Sequence, residues 1–293
     1  MLSLGGIGGS SPLFDLALLL LVSFAAGMIG ALMGVGGGLF LVPALILLFG
    51  VDVHVAVAAS LVSVVATTTG AASTRLGEGF VNLRLGMFLE TATALGGLAG
   101  AAVSVTLLAQ HGNVLIFALI PVILVAAVLM SMGRPRVQNA ARPPDRLADR
   151  LRLSGVYVDP SSGEREEYRV RGTTYGLGFA SLAGVASGLL GIGGGIFKVP
   201  AMNAFMNVPL RVASATSTLM IGVTASAGAL VYLFAGDVAL TLVAPVAIAV
   251  LLGSFLSVHF GSTWPRQRLR FLFVGVLVLA AFLLFLRAAG VIA

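Results

Sequence analysis

The residues best placed to do chemistry in this sequence are glycines acting through their backbone. Positions 34–43 read GVGGGLFLVP and positions 191–200 read GIGGGIFKVP, identical at seven of ten places and 157 residues apart. Consecutive glycines let a helix break and leave backbone amides unpaired. The amides at Gly36, Gly37, Gly38 and Leu39, and at Gly193, Gly194, Gly195 and Ile196, are predicted at helix N-termini, where free donors and partial positive charge suit an anion. In lipid, such irregular backbone is tolerated only where protein or a water-filled cavity surrounds it. The competing reading is close helix packing, as the small-xxx-small pairs Gly30/Gly34, Gly96/Gly100 and Gly184/Gly188 suggest. Neither run is a nucleotide loop, because GxGxxG is not completed and no Gly-Lys-Ser/Thr follows.

Lys198 breaks the symmetry of the two runs, its counterpart being Leu41. A cation in an apolar segment is costly unless it is partnered or faces a cavity. It therefore either attracts the anion or snorkels to the surface. Glu90, between Leu89 and Thr91, is the other deeply placed charge, open to three roles: a partner for Lys198, a proton relay, or part of a polar vestibule. Ser60, Ser63 and Thr67 share one helix face, and Ser217 with Thr224 repeat that face in the second half. These hydroxyls are candidates to complete an anion's hydrogen bonds, although in such helices hydroxyls are more often satisfied by packing or by their own backbone. Asn203, Thr68 and Thr216 are weaker candidates, and His54, His111 and His259 read as interfacial.

Such groups need apolar elements to hold them, and composition supplies these: 58% of the 293 residues are hydrophobic and 10% charged, the balance of a membrane-spanning chain. Apolar segments fall at 14–33, 39–49, 53–73, 83–108 and 114–132, then at 175–190, 196–206, 210–235, 238–260 and 269–286. The segments 39–49 and 196–206 are too short to cross ~30 Å of hydrocarbon at ~1.5 Å per residue. The offset that aligns the glycine runs also pairs Gly27 with Gly184, Ala56 with Ala213, Ser60 with Ser217, Thr67 with Thr224, Gly79 with Gly236 and Gly96 with Gly253. The expected fold is all-α: two inverted repeats of about five helical segments each, 14–132 and 173–290, joined by a linker at 133–172. Nine of the 17 basic residues lie between Arg134 and Arg171, which places that linker in the cytoplasm and the N-terminus outside. Residues 1–13 lack the basic start of a secretory signal, so the first apolar run reads as a retained helix. Within the linker, Val156–Val158 and 167–170 flank a turn and predict a small β-hairpin, with a connector role preferred over partner binding.

The same sequence excludes several classes. Without cysteine there are no disulfides, thiolate metal sites or thiol nucleophiles, and no cofactor or metal is expected. The net charge of +6 resides in loops rather than on an aromatic-basic face, so nucleic acid is not an expected partner. HExxH and GxSxG are absent, which disfavours an enzyme.

The paired GxGGGxFxVP segments resemble the sulfite exporter TauE/SafE family, and the likeness covers about 14–286. It implies a bacterial or archaeal inner-membrane transporter of sulfur-containing anions such as sulfite, sulfonates or sulfoacetate, with the family motif at Gly34, Gly36–Gly38 and Pro43 and at Gly191, Gly193–Gly195 and Pro200. The long charged centre departs from many members. The expected activity is secondary or passive transport, in the export direction, with the anion held between the breaks near the midplane. An inside-negative potential favours exit of a monoanion by ~2.3 kcal/mol per 100 mV, whereas import requires a coupling ion, for which Glu90 is the relay candidate. An anion channel, a proton-coupled importer, an intramembrane enzyme and a membrane anchor are the rivals. Expected partners are the small anion and membrane lipid, and small-xxx-small motifs are compatible with a homo-oligomer.

Overall fold

The computed structural model describes residues 12–33, 36–77, 79–107, 111–131, 145–158, 165–260 and 266–290. Gly34, most of the Arg-rich stretch 134–152 and the hairpin turn lie outside the described residues, as do residues 1–11. Helices dominate: α1 (Pro12–Met33), α2 (Gly38–Phe49), α3 (Val53–Gly77), α4 (Leu83–Leu107), α5 (Gly112–Ser131), a short α6 (Arg146–Arg150), α7 (Thr173–Leu190), α8 (Gly195–Pro200), α9 (Leu210–Ala235), α10 (Leu240–Phe260) and α11 (Arg266–Ala288). Between α6 and α7 lies one antiparallel hairpin of β1 (Gly155–Val158) and β2 (Arg165–Tyr168). Among the described residues six helices, α1, α3, α4, α7, α9 and α10, are long and apolar enough to cross a membrane.

The two short apolar segments are helical and remain short. α2 has 12 residues, about 18 Å by the helical rise. α8 has six and passes at Pro200 into a π-helical turn, Ala201–Phe205. Proline has no N–H to give the helical ladder, and the widened turn begins directly after it.

Glycine sets how the long helices pack. α1 packs on α10, and α4 on α7, at distances that only a missing side chain allows. A Cβ at Gly27 would stand 2.2 Å from the Val250 carbonyl oxygen, and one at Gly253 would stand 2.1 Å from that of Phe24. Under the 157-residue offset these contacts become Gly184 against Thr93 at 2.2 Å and Gly96 against Ser181 at 2.4 Å. Gly100 meets Val185, and Gly188 meets Gly97, in the same way. The packing reading of these glycines is therefore correct. The remaining contacts follow the same exchange: α3 packs on α9, α5 on α11, and α4 on α9 as α10 does on α3.

The described part of the linker is docked on the bundle. Ala148, Leu153, Tyr168 and Val170 form one buried cluster with Leu85 and Leu89 of α4, Met202 and Met206 after α8, and Val212 of α9. Asn82 pins the loop before α4 to it, donating through Nδ2 to the Leu153 carbonyl and the Tyr168 hydroxyl, each at 2.7 Å. The second strand begins and ends two residues earlier than its sequence pattern suggests. Tyr168 lies opposite Gly155, and the amide of Val170 is taken instead by the Ser154 hydroxyl. Asp145 caps α6 through the Ala148 amide and also accepts from the Thr173 amide and hydroxyl, tying linker to α7.

Two outcomes follow. Gly184→Ala and Gly253→Ala each place a methyl against backbone, and overpacking costs about 1–3 kcal/mol. Both are expected to lower the detergent-solubilised protein's melting temperature, whereas Gly178→Ala, with nothing within 4 Å, leaves it unchanged. Partial burial raises the Asp145 pKa, but the bonds from Thr173 and Ala148 lower it by more, to a net value below 3.8. A folded value below the unfolded one gives a stabilisation that is present above pH 3.8 and lost as pH falls through the lowered value. Hydrogen exchange at the Thr173 amide should stay slow down to that pH in the wild type and be faster in Asp145→Asn at neutral pH.

Candidate functional site

The two glycine breaks meet inside the bundle. Gly36 has φ +74°, and Gly191, Gly193 and Gly194 have φ between +69° and +75°, a left-handed backbone that side chains with Cβ adopt at a cost. Gly191 ends α7 with its amide on the Ser187 carbonyl. A Cβ at Gly38 would lie 2.4 Å from the Gly191 carbonyl oxygen and 2.7 Å from Ser60 Oγ, so the start of α2 touches the end of α7. At the first turn of α2 the amides of Phe40 and Leu41 bond to the Gly37 carbonyl, and at that of α8 those of Phe197 and Lys198 bond to the Gly194 carbonyl. The amides of Leu39, Gly195 and Ile196 make no backbone hydrogen bond among the described residues.

The hydroxyls divide into two groups. Ser60 Oγ donates to the Gly191 carbonyl at 2.7 Å and so ties α3 to the second break. Ser63, Thr67 and Thr68 donate to carbonyls one turn back on their own helix. Ser217 Oγ is buried and has no partner among the described residues; its counterpart of the Ser60 bond would be made to Gly34. Thr224 differs from all of these.

Thr224 stands at the centre of a buried charged cluster. Lys198 is 2% exposed, and its Nζ donates to Thr224 Oγ1 at 2.6 Å. Thr224 Oγ1 lies 2.6 Å from Glu90 Oε1, and Thr93 Oγ1 donates to Glu90 Oε2 at 2.8 Å. Lys198 Nζ itself reaches Glu90 Oε2 at 3.5 Å. Of the sequence-level alternatives, the snorkelling lysine is overturned: it points inward because the Glu90 carboxylate and the Thr224 hydroxyl compensate it there. Glu90 is its charge partner. Thr93 was not singled out in the sequence, though it lies at i+3 from Glu90 and hence on the same face. The cluster has no twin, since Lys198, Glu90 and Thr93 correspond to Leu41, Ala247 and Val250.

Beside the first break a small space remains. A cavity of about 10 Å³, lined by Gly30, Gly36, Thr67, Thr68 and Thr218, is at the lower limit for a single water. A cavity of about 260 Å³ lies away from the breaks, between the loop 79–84 and the hairpin, with Arg84, Arg152 and Tyr157 in its wall. At the end of the bundle opposite the hairpin, His54 Nδ1 lies 3.4 Å from Asp52. Among the described residues no group of His, Asp and Glu is placed to hold a metal ion.

Apolar helices of spanning length around an interior ion pair define a multi-pass membrane protein with a polar site inside the bundle. The profile of the sulfite exporter TauE/SafE family matches residues 19–284, and the chain belongs to that family of membrane transporters. It is similar to the probable membrane transporter protein YunE of Bacillus subtilis (strain 168), 28% identical over 228 residues that cover 75% of this chain and 79% of the relative. It is also similar to the probable membrane transporter protein YdhB of the same organism, at 23% identity covering 86% and 93% of the two chains. A probable membrane transporter protein of Xylella fastidiosa (strain 9a5c) shares 27% identity over 69% of this chain and 66% of its own length. No solved structure matches the chain.

Removing one partner of a buried ion pair costs about 3–5 kcal/mol, because the other charge is left uncompensated. Glu90→Ala is therefore expected to destabilise the solubilised transporter strongly. Glu90→Ala combined with Lys198→Met should recover much of the loss, measured as a melting temperature above that of Glu90→Ala alone.

Proposed function

We propose that the protein carries a small sulfur-containing anion, such as sulfite or a sulfonate, out of the cell down the anion's own gradient, with the anion held at Lys198 beside the second glycine break. The observation that carries this reading is Lys198 itself: a cation buried inside an apolar bundle, three residues past the start of α8. A fixed positive charge of low exposure attracts anions far more strongly than one in water. Membership of the sulfite exporter TauE/SafE family supports the substrate class. The amides of Gly36–Leu39 and Gly193–Ile196 are the backbone donors that would complete the site when the breaks part. Thr224 is the hydroxyl most directly placed to follow Lys198. Ser60 and Thr67 would have to release backbone carbonyls first, and Ser217 would offer its hydroxyl directly.

The two halves, in this reading, are inverted repeats that move against one another, with the N-terminus outside and the basic linker in the cytoplasm. The exchange of packing partners under one offset supports the repeat. Clustering of arginine in the linker supports the orientation. Close contact of the breaks, Gly38 against Gly191, supports alternating access over a standing pore. Lipid covers the outward apolar side chains such as Leu21, Leu95 and Phe234.

Proteoliposomes loaded with the purified protein should take up labelled sulfite and methanesulfonate saturably, with sulfoacetate competing better than chloride. Lys198→Ala should lower the initial rate at least tenfold. An equal rate in the variant would return Lys198 to a structural role, and no flux of any sulfur anion in the wild type would remove the reading altogether.

A further inference from the structure

Glu90 occupies the place on Lys198 that a substrate anion would need. Its two oxygens are held by Thr224 at 2.6 Å and Thr93 at 2.8 Å, and the Thr224 hydroxyl bridges it to the ammonium. The carboxylate carries the same charge and the same kind of oxygen acceptors as a sulfonate or sulfite oxygen face. In the described state, then, the cation is satisfied by an anion that belongs to the protein. We propose that the Glu90 carboxylate is an internal anion that substrate displaces from Lys198, and that it takes up one proton as it is displaced, so that each monoanion crosses with one proton.

The argument is one of charge. With the pair closed, ammonium and carboxylate sum to zero. An incoming monoanion would make the buried cluster net negative, and Lys198 cannot compensate two anions at once. A proton bound by Glu90 restores neutrality, and the carboxyl group then donates one hydrogen bond where it had accepted several. The proton comes from water on the side to which the cluster opens, and it leaves to water on the opposite side when the anion departs and Glu90 returns to Lys198. No other group among those packed around Glu90 is placed to supply the charge. α7 contributes only Tyr175, 72% exposed. α9 contributes Arg211 in its first turn and Tyr232, whose hydroxyl bonds to the Gly188 carbonyl. α4 itself adds Arg84, exposed in its first turn, and the hairpin adds Tyr168, bonded to Asn82. The closed pair also lets an empty carrier reorient without exposing a charge to hydrocarbon. Export then carries one proton outward with each monoanion and is electroneutral.

This inference rests on the anion-carrier reading above. Methanesulfonate is the probe, because it stays monoanionic over the usable pH range and any proton that moves is moved by the protein. In proteoliposomes holding a pH-sensitive dye, wild type should move one proton per methanesulfonate, with a rate unchanged by a potassium–valinomycin potential. Glu90→Gln should move methanesulfonate without protons, and its rate should respond to the potential. Glu90→Asp should keep the proton. A second measurement needs no variant: carbodiimide reacts with buried protonated carboxyls, so methanesulfonate should raise labelling of Glu90 in wild type at least several-fold, read by peptide mass. Wild-type flux without protons, a Glu90→Gln protein that still moves them, or labelling indifferent to methanesulfonate each overturns the inference while leaving the carrier reading intact. Absence of methanesulfonate flux in wild type overturns the inference, and absence of sulfite flux as well overturns the carrier reading too.

Discussion

Backbone meeting backbone, with glycine as the enabling residue, is the constraint from which the rest of the arrangement follows. Where Gly27 lies against Val250 and Gly184 against Thr93, no side chain separates the helices, and a single methyl would strike main-chain atoms. Hydrocarbon tails are as apolar as leucine, so burying apolar side chains does little to draw such helices together in a membrane. Close approach and its dispersion contacts do that instead. Because each contact joins a helix of the first half to one of the second, the halves interlock, and the two broken segments are held face to face between them.

Within that frame the halves differ in one respect. The first break is surrounded by backbone, hydroxyls of Ser60, Thr67, Thr68 and Thr218 and apolar side chains, whereas the second has Lys198 with Glu90, Thr93 and Thr224. Geometry is repeated and charge is not. Similar glycine contacts thereby recur in the two halves, whereas the polar cluster gathers around the second break. The docking of the hairpin and α6 against Met202 and Met206 adds a mechanical link, since those residues continue the same short helix that bears Lys198.

Much of this was legible in the sequence because the signals are local. Spanning helices announce themselves by apolar length, and the breaks by triple glycine. What was not legible depends on long-range apposition. Glu90 and Lys198 were each conspicuous as charges in apolar runs, yet they are 108 positions apart and nothing in either run names the other. Thr224 was noticed as the twin of Thr67, but Thr67 bonds its own helix while Thr224 bridges the ion pair. Ser60 was marked as a possible ligand, and its bond to a carbonyl 131 positions away could not be read from its own helix. The second strand of the hairpin was displaced by two residues because Val170, which fits a strand pattern, is captured by Ser154 and buried.

The interlocking of the halves also bears on how the chain reaches its final state during synthesis. α1 is complete at Met33, but α10, the helix it packs against, begins only at Leu240. At ~5–20 residues per second the ribosome needs roughly 10–40 s to bridge that interval. Throughout that time the contact of Gly27 with Val250 is unmade, while that of Gly30 with Gly37 can already form. The first half therefore waits for the partners of Gly27, Gly96 and Gly100, and a truncated chain exposes the very surfaces by which the complete one is joined.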